Sequence, residues 1–262
     1  MAYTEWGDAE NPDVLVCVHG LTRNGRDFDH AAEVFAKRYR VVCPDVVGRG
    51  RSDRVDAALY EFPQYVADLV TLIARLDVPR VRWLGTSMGG LIGMVLAAMP
   101  RSPIAKLALN DVAPVAKVEA LRRIASYVGK APTFATEDDA ERYLRGITPP
   151  SPGMSDAQWR AFSKHLTRRR DDGAYELNYD PGIARPAATA DLVLWPYYDA
   201  VRCPTFLLRG GVSDLVSADT ARELETRGPR ARHVDVPGAG HTPMLLDDAA
   251  ELAPLQRFFE ED

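Results

Sequence analysis

The stretch Gly85-Thr-Ser-Met-Gly89 lies between two apolar runs, residues 81–84 before it and residues 91–98 after it. The first run predicts a buried strand and the second a helix, so the five residues form the turn between them. Glycine is needed at both ends of this turn because a side chain there would collide with the crossing strand and helix. The turn predicts a serine hydroxyl raised above the sheet, where a base can activate it.

Apolar runs alternate with helical periodicity along most of the chain. Residues 14–18 form a continuous apolar run, which is typical of a strand buried on both faces of a parallel sheet. Further strand-like runs begin near Arg40, Ile104, Thr205 and His233. Strands that alternate with helices predict the α/β class, with a doubly wound and mostly parallel sheet.

The alternation is interrupted in the second third of the chain. Three amphipathic segments, residues 115–128, 137–144 and 156–170, follow one another with little strand signal between them. We therefore predict a core domain made of residues 1–112 and 199–262. Residues 113–198, called the cap below, are predicted to be a helical insertion.

Two further polar residues follow predicted strands. Asp214 comes after the strand near Thr205, and His241 comes after the next one. The carboxyl ends of parallel strands share one edge of the sheet, where open α/β folds bind ligands. The order Ser, Asp, His fits a nucleophile, an orienting acid and a general base, so we predict a catalytic triad of Ser87, Asp214 and His241. Asp111 also ends a strand and is the alternative acid.

An oxyanion that forms on a carbonyl substrate needs two preset N–H donors. The backbone N–H of Met88, directly after the nucleophile, is one candidate. The other is the N–H of Leu21, in the loop after His19-Gly20, and His19 is expected to shape that loop rather than to act as a base.

Three residues are candidates for contact with a substrate. Arg23 and Asn24 lie just past the predicted oxyanion loop, and loops in such positions often touch ligands. Trp159 lies in the cap, where aromatic side chains are frequent. An apolar pocket above Ser87 would follow from such a cap, so we expect a small-molecule substrate with an apolar or aromatic acyl group.

Together these segments resemble the α/β-hydrolase fold family over almost the whole chain. The resemblance is carried by His19-Gly20, Asp45 with the pattern from Gly48 to Asp53, the Gly-Thr-Ser-Met-Gly-Gly turn, Ser213-Asp214 and Gly240-His241. It implies an eight-stranded sheet with an inserted cap and a cofactor-free serine hydrolase of carboxylic esters or lactones, with an acyl-enzyme on Ser87.

The chain departs from the family pattern at its N-terminus. Members usually begin with two antiparallel strands, but here one short candidate, residues 2–6, precedes the strand at Val14. We expect the first strand to be missing and the second to be shortened. The exposed sheet edge that remains is a place where two copies of the chain can pair, so a homo-oligomer is compatible with the sequence.

Other activities use related machinery. Carbon–carbon bond hydrolases of aromatic catabolism share the triad and a similar cap, but they usually carry a Ser/Gly-rich stretch where this chain has residues 21–25. Non-catalytic ligand-binding relatives often lack a triad member. Epoxide hydrolases and haloalkane dehalogenases need Asp as the nucleophile, and Ser87 argues against both.

Composition restricts the partners and the compartment. The net charge of −5 argues against nonspecific binding to nucleic acid or to anionic membranes. No apolar run approaches the roughly 20 residues of a membrane span, and the first residues do not resemble a signal peptide. Cys17, Cys43 and Cys203 lie in or beside apolar runs without the spacing of metal ligands. A cytoplasmic protein without metal or other cofactor is therefore expected.

Overall fold

The structure is a computed structural model, and it describes residues 1–149, 154–241, 243 and 249–261. The described strands are β1 Tyr3–Trp6, β2 Val14–Val18, β3 Arg40–Pro44, β4 Val81–Thr86, β5 Ile104–Asn110, β6 Val115–Ala116, β7 Thr133–Phe134, β8 Thr167–Arg169, β9 Tyr175–Leu177, β10 Leu192–Val193, β11 Thr205–Gly210 and β12 Arg232–Val236. The described α-helices are α1 Asp29–Phe35, α2 Phe62–Arg75, α3 Met88–Ala98, α4 Val118–Ala125, α5 Glu137–Ile147, α6 Asp156–Leu166, α7 Trp195–Ala200, α8 Ala218–Leu224 and α9 Ala249–Glu260.

Within these ranges, seven strands form the central sheet in the order β1-β3-β2-β4-β5-β11-β12. β1 is antiparallel to β3, and every other neighbouring pair is parallel. Helices α2, α3 and α8 pack on one face of the sheet, and α1 and α9 pack on the other. Since both faces are covered, β2 is buried at every residue, as its uninterrupted apolar sequence predicts. The predicted α/β class is confirmed.

One edge of the central sheet is formed by the single short strand that the sequence places before Val14. In the described part of the chain, the four-residue strand β1 is the one strand that precedes β2. It pairs with β3 along one side, and its other side forms the end of the sheet.

The segment between β5 and β11 contains more strand than the sequence predicts. The three predicted helical segments correspond to α4, α5 and α6, but β7, β9 and β8 form a small antiparallel sheet beside them. The prediction of a helix over residues 156–170 was therefore wrong at its C-terminal end, because α6 stops at Leu166 and β8 follows. Asp172 and Gly173 lie between β8 and β9, and the φ angle of Gly173 is 89°, which favours glycine.

The cap contacts the core where the central strands end. Asn24 donates from its side-chain amide to the backbone carbonyl of His165 at 2.7 Å, which ties the loop after β2 to α6. The backbone N–H of Gly50 donates to the carbonyl of Asn178 at 3.0 Å. These contacts hold the cap over the carboxyl ends of β2 and β3.

The structure bears on two expectations drawn from composition. All three cysteines are buried and none forms a disulfide. No helix within the described ranges is both long enough and apolar enough to cross a membrane.

Candidate active site

Ser87 occupies a strained turn between β4 and α3. Its φ and ψ angles are 50° and −117°, a conformation that L residues rarely adopt and that costs about 1–3 kcal/mol. A Cβ atom added to Gly89 would lie 2.0 Å from the Val18 carbonyl oxygen, and one added to Gly85 would lie 2.5 Å from the Gly89 backbone. The turn therefore requires glycine at both positions, for the reason inferred from the sequence.

His241 is hydrogen-bonded to a buried carboxylate. Its Nδ1 donates to Oδ2 of Asp111 at 2.8 Å. Because a carboxylate only accepts, this contact places the ring proton on Nδ1 and leaves Nε2 as an acceptor. Asp111 directly follows β5, has no exposed surface and adopts a positive φ of 47°.

Two further donors fix the Asp111 carboxylate. The Gly210 N–H donates to Oδ1 at 2.9 Å, and the Ser213 hydroxyl donates to Oδ2 at 2.6 Å. The Ser213 oxygen in turn accepts the N–H of Leu215 at 3.1 Å, so its own orientation is set by the loop after β11. Three hydrogen bonds thus stabilise the ionised carboxylate and hold it towards the imidazole. The sequence pattern includes Ser213 as the neighbour of Asp214, but it predicts no role for the serine hydroxyl.

Asp214 lies elsewhere, and the prediction that it orients His241 was wrong. Its carboxylate accepts two hydrogen bonds from Arg123 of α4, at 2.6 and 2.8 Å, and its side chain is 45% exposed. The physical reason is the conformation of the loop after β11. Ser213 points inward to Asp111, and the next residue points outward to the cap. Asp111, the alternative acid, makes the contact with His241.

The loop after β2 is organised by His19. This buried ring donates from Nδ1 to the Gly20 carbonyl at 2.7 Å and accepts the Val46 N–H on Nε2 at 2.9 Å. Burial lowers the pKa of His19 to about 4, so the ring is neutral at neutral pH. Both nitrogens are occupied by backbone partners, which agrees with a role in shaping the loop rather than in proton transfer.

The depressed pKa of His19 predicts a loss of stability in acid. An unfolded histidine titrates near pH 6.5, so the stabilisation is complete above that pH and falls as the pH drops towards 4. We expect this group to make the free energy of unfolding about 2 kcal/mol smaller at pH 5 than at pH 7. Urea unfolding of the wild type and of His19→Gln at both pH values measures this, and an equal pH dependence in the two proteins would contradict it.

Arg49 contacts both residues whose N–H groups are the predicted oxyanion donors, Leu21 and Met88. This buried side chain donates from Nε to the Leu21 carbonyl at 2.8 Å, and its Nη2 lies 3.8 Å from Sδ of Met88. The Tyr65 hydroxyl accepts from Nη1 at 3.1 Å, and burial lowers the pKa of the guanidinium. In the described part of the chain, no protein acceptor takes the N–H of Leu21 or Met88.

A cavity connects these groups beneath the cap. Ser87, His241 and Gly20 lie on its floor. The rest of its described lining is Leu21, Thr22, Arg23, Ile124, Tyr127, Leu144, Ile147, Thr148, Pro149, Leu166, Leu177 and Tyr179. Among the residues described, His241 forms its side-chain hydrogen bond with Asp111, and none joins it to Ser87 Oγ.

The candidate substrate contacts have different positions. Arg23 lines the cavity, whereas Asn24 and Trp159 are absent from its described lining. Asn24 is buried in its contact with α6, and Trp159 packs edge-on against Phe162 with the ring centroids 5.5 Å apart. Tyr127 and Tyr179 are the cap aromatics found in the lining, and the rest of that surface is largely aliphatic.

Among the residues described, no group of three or more His, Cys, Asp or Glu side chains is arranged to hold a metal ion. The groups gathered at the cavity are instead a serine, an imidazole and a buried carboxylate.

The parallel sheet, the strained serine turn and the buried Asp–His pair define an α/β hydrolase. A profile of the family described as alpha/beta hydrolase fold matches residues 13–248, and the chain belongs to that family. The predicted α/β-hydrolase enzyme is thereby confirmed.

Known relatives resemble the chain over nearly its whole length. A 3-hydroxybutyrate-oligomer hydrolase of Cupriavidus necator is 45% identical over 99% of this chain and 92% of its own. An alpha/beta hydrolase of Novosphingobium aromaticivorans is 38% identical, with a TM-score of 0.89 over 98% of this chain and 93% of its own. A solved hydrolase structure from Rickettsia typhi has a TM-score of 0.93 at 28% identity, covering 99% of this chain and 90% of its own.

Proposed function

We propose that the protein is a serine hydrolase of carboxylic esters, with Ser87 as nucleophile, His241 as general base and Asp111 as the orienting acid. The observation that carries this proposal is the 2.8 Å hydrogen bond between His241 and the buried Asp111, at a cavity that also contains the strained Ser87. A serine alone is a poor nucleophile, and the oriented imidazole supplies the base that it needs.

The reaction follows from these groups. His241 Nε2 takes the proton of Ser87 as Oγ attacks the ester carbonyl, and Asp111 stabilises the imidazolium that forms. The N–H groups of Leu21 and Met88 are proposed to bind the oxyanion. His241 then gives the proton to the departing alcohol, and water activated by the same imidazole hydrolyses the acyl-enzyme.

Short oligomers of 3-hydroxybutyrate are the proposed substrates. The relative from Cupriavidus necator is named for hydrolysis of such oligomers and is 45% identical across 99% of this chain. The cavity supports an aliphatic rather than an aromatic chain, since leucine and isoleucine form most of its apolar wall. Each unit of such an oligomer carries one methyl branch and one ester, which suits a small apolar cavity over a single nucleophile.

The proposal is tested by hydrolysis and by labelling. We expect turnover of the 3-hydroxybutyrate dimer and trimer, and of p-nitrophenyl esters with a maximum at short acyl chains in a series from acetate to palmitate. A fluorophosphonate should label the wild type at Ser87 and should leave Ser87→Ala unlabelled. Absence of labelling in the folded wild type would refute a serine hydrolase. Labelling without turnover of any oligomer would refute the substrate alone.

A further inference from the structure

Arg23 is the one cationic side chain in the described lining of the catalytic cavity. Most of the surface around it is apolar, and a hydrogen bond from a guanidinium to an anion is strong in such surroundings. Arg23 lies on the loop after β2, beside the predicted oxyanion donor Leu21. This position makes it a candidate for recognition of an anionic group on the substrate.

The Arg23 guanidinium is held in one orientation from two sides. Its Nε and Nη2 donate to the Asp27 carboxylate at 2.8–3.0 Å, and its plane covers the ring of Phe162 with the central carbon 4.0 Å from the ring centroid. Asp27 itself is absent from the described cavity lining. Nη1 donates to no acceptor among the residues described, so a donor remains for a ligand.

The distance to the nucleophile limits what can bind there. An atom placed at the Cβ position of Gly20 would lie 3.6 Å from Cβ of Ser87 and 3.8 Å from Cγ of Arg23. The serine and the base of the arginine side chain are therefore close neighbours across Gly20. We therefore expect an anionic group bound by Arg23 to belong to the same small substrate as the carbonyl that Ser87 attacks.

We propose that Arg23 binds the free carboxylate of the terminal unit, so that the enzyme cleaves oligomers from their carboxyl end. This inference rests on the function proposed above. In a 3-hydroxybutyrate oligomer, two carbons and the ester oxygen separate the terminal carboxylate from the nearest ester carbonyl, a span of roughly 5 Å. The Nη1 donor that Asp27 leaves free can form a charge-assisted hydrogen bond with that carboxylate.

The resulting reaction releases one monomer in each turn. Ser87 Oγ bonds to the carbonyl carbon of the last ester, and the bond from that carbon to the oxygen of the terminal unit breaks. The departing alkoxide takes its proton from His241 while Arg23 holds the carboxylate of the same unit. The remaining oligomer stays on Ser87 as the acyl group until water hydrolyses it.

The test compares the dimer as its free acid with its methyl ester, measured as cleavage of the internal ester. We expect the wild type to prefer the free acid in kcat/KM by about 10- to 100-fold, the effect of one charge-assisted contact. Arg23→Met should lose this preference, and Arg23→Lys should restore part of it. Arg26→Met is the matched control, because Arg26 forms a similar pair with Asp29 outside the described cavity lining and should keep the preference.

Removing Arg23 alone leaves the largely buried Asp27 carboxylate without its partner, so the double variant Arg23→Met/Asp27→Asn is included. Retention of the acid preference in a folded double variant, or equal cleavage of acid and methyl ester by the wild type, would overturn the role of Arg23. In that case the serine hydrolase would still be supported if the wild type cleaves the internal ester of both compounds and if, in a separate sample, a fluorophosphonate labels Ser87. A wild type that is neither labelled nor active would instead refute the proposed function itself.

The direction of cleavage has a separate readout. In a trimer deuterated only in its hydroxyl-terminal unit, the first monomer released should be unlabelled. A deuterated monomer appearing first would show attack from the other end and would exclude carboxylate recognition at Arg23.

Discussion

Replacing Asp111 with Asn is expected to lower kcat about 10⁴-fold, whereas Asp214→Asn should change it less than about fivefold. Asp111 fixes the proton of His241 on Nδ1, and an amide at that position favours the wrong tautomer. Asp214 forms a half-exposed ion pair with Arg123, and such pairs contribute only about 0.2–1 kcal/mol.

The two substitutions form a matched experiment because each exchanges one carboxylate for an amide of the same shape. Steady-state kinetics on one short ester, with circular dichroism to verify folding, measures the difference. A loss in Asp214→Asn as large as that in Asp111→Asn would return the orienting role to Asp214. Equal and small effects in both variants would exclude a triad that uses either acid.

Removing the Ser87 hydroxyl should abolish turnover, with an expected loss of at least about 10⁴-fold in Ser87→Ala. The stability of that variant should stay close to that of the wild type, because the strained backbone remains. Ser87→Gly should be equally inactive but more stable. Glycine adopts a φ of 50° and ψ of −117° without the strain, which outweighs its greater freedom in the unfolded chain.

We expect Ser87→Gly to raise the free energy of unfolding by about 1 kcal/mol, or the melting temperature by about 2–4 °C. Thermal unfolding of the wild type and of both variants, alongside their ester turnover, gives the comparison. A Ser87→Gly protein less stable than Ser87→Ala would show that the turn stores no strain that glycine can relieve.

The serine turn could be predicted because its demands are local. Gly85 and Gly89 are required by close backbone contacts with neighbouring elements, and such a requirement leaves a pattern in five consecutive residues. The buried strand β2 could also be predicted from the sequence, because a strand covered on both faces has no polar residue to interrupt its apolar run.

The choice of acid could not be read in the same way. β5 and β11 are neighbouring parallel strands, so Asp111 and Asp214 both follow strands at the same edge of the sheet. What separates them is the direction of one loop, in which Ser213 reaches Asp111 and Asp214 reaches the cap. Chain order is Ser, Asp, His with either acid, so the spacing of the motifs could not distinguish them.

The hairpin in the cap was missed although the sequence carried a signal for it. Asp172-Gly173 is a frequent turn dipeptide, and β8 and β9 flank it. The run of arginines before the turn resembles the basic end of a helix, yet Arg168 pairs across the hairpin with Glu176. The pairing of β8 with β9 depends on residues outside the predicted helix over residues 156–170, and it outweighed the local preference of that segment for helix.

The position of Asp111 has a consequence for redesign of the enzyme. All three groups that donate to its carboxylate, Gly210, Ser213 and His241, lie outside residues 113–198. That segment leaves the core just after β5 and returns before β11, two strands that are held together by the sheet. We therefore expect that a replacement of this segment would leave in place every hydrogen bond that holds Asp111 towards the imidazole.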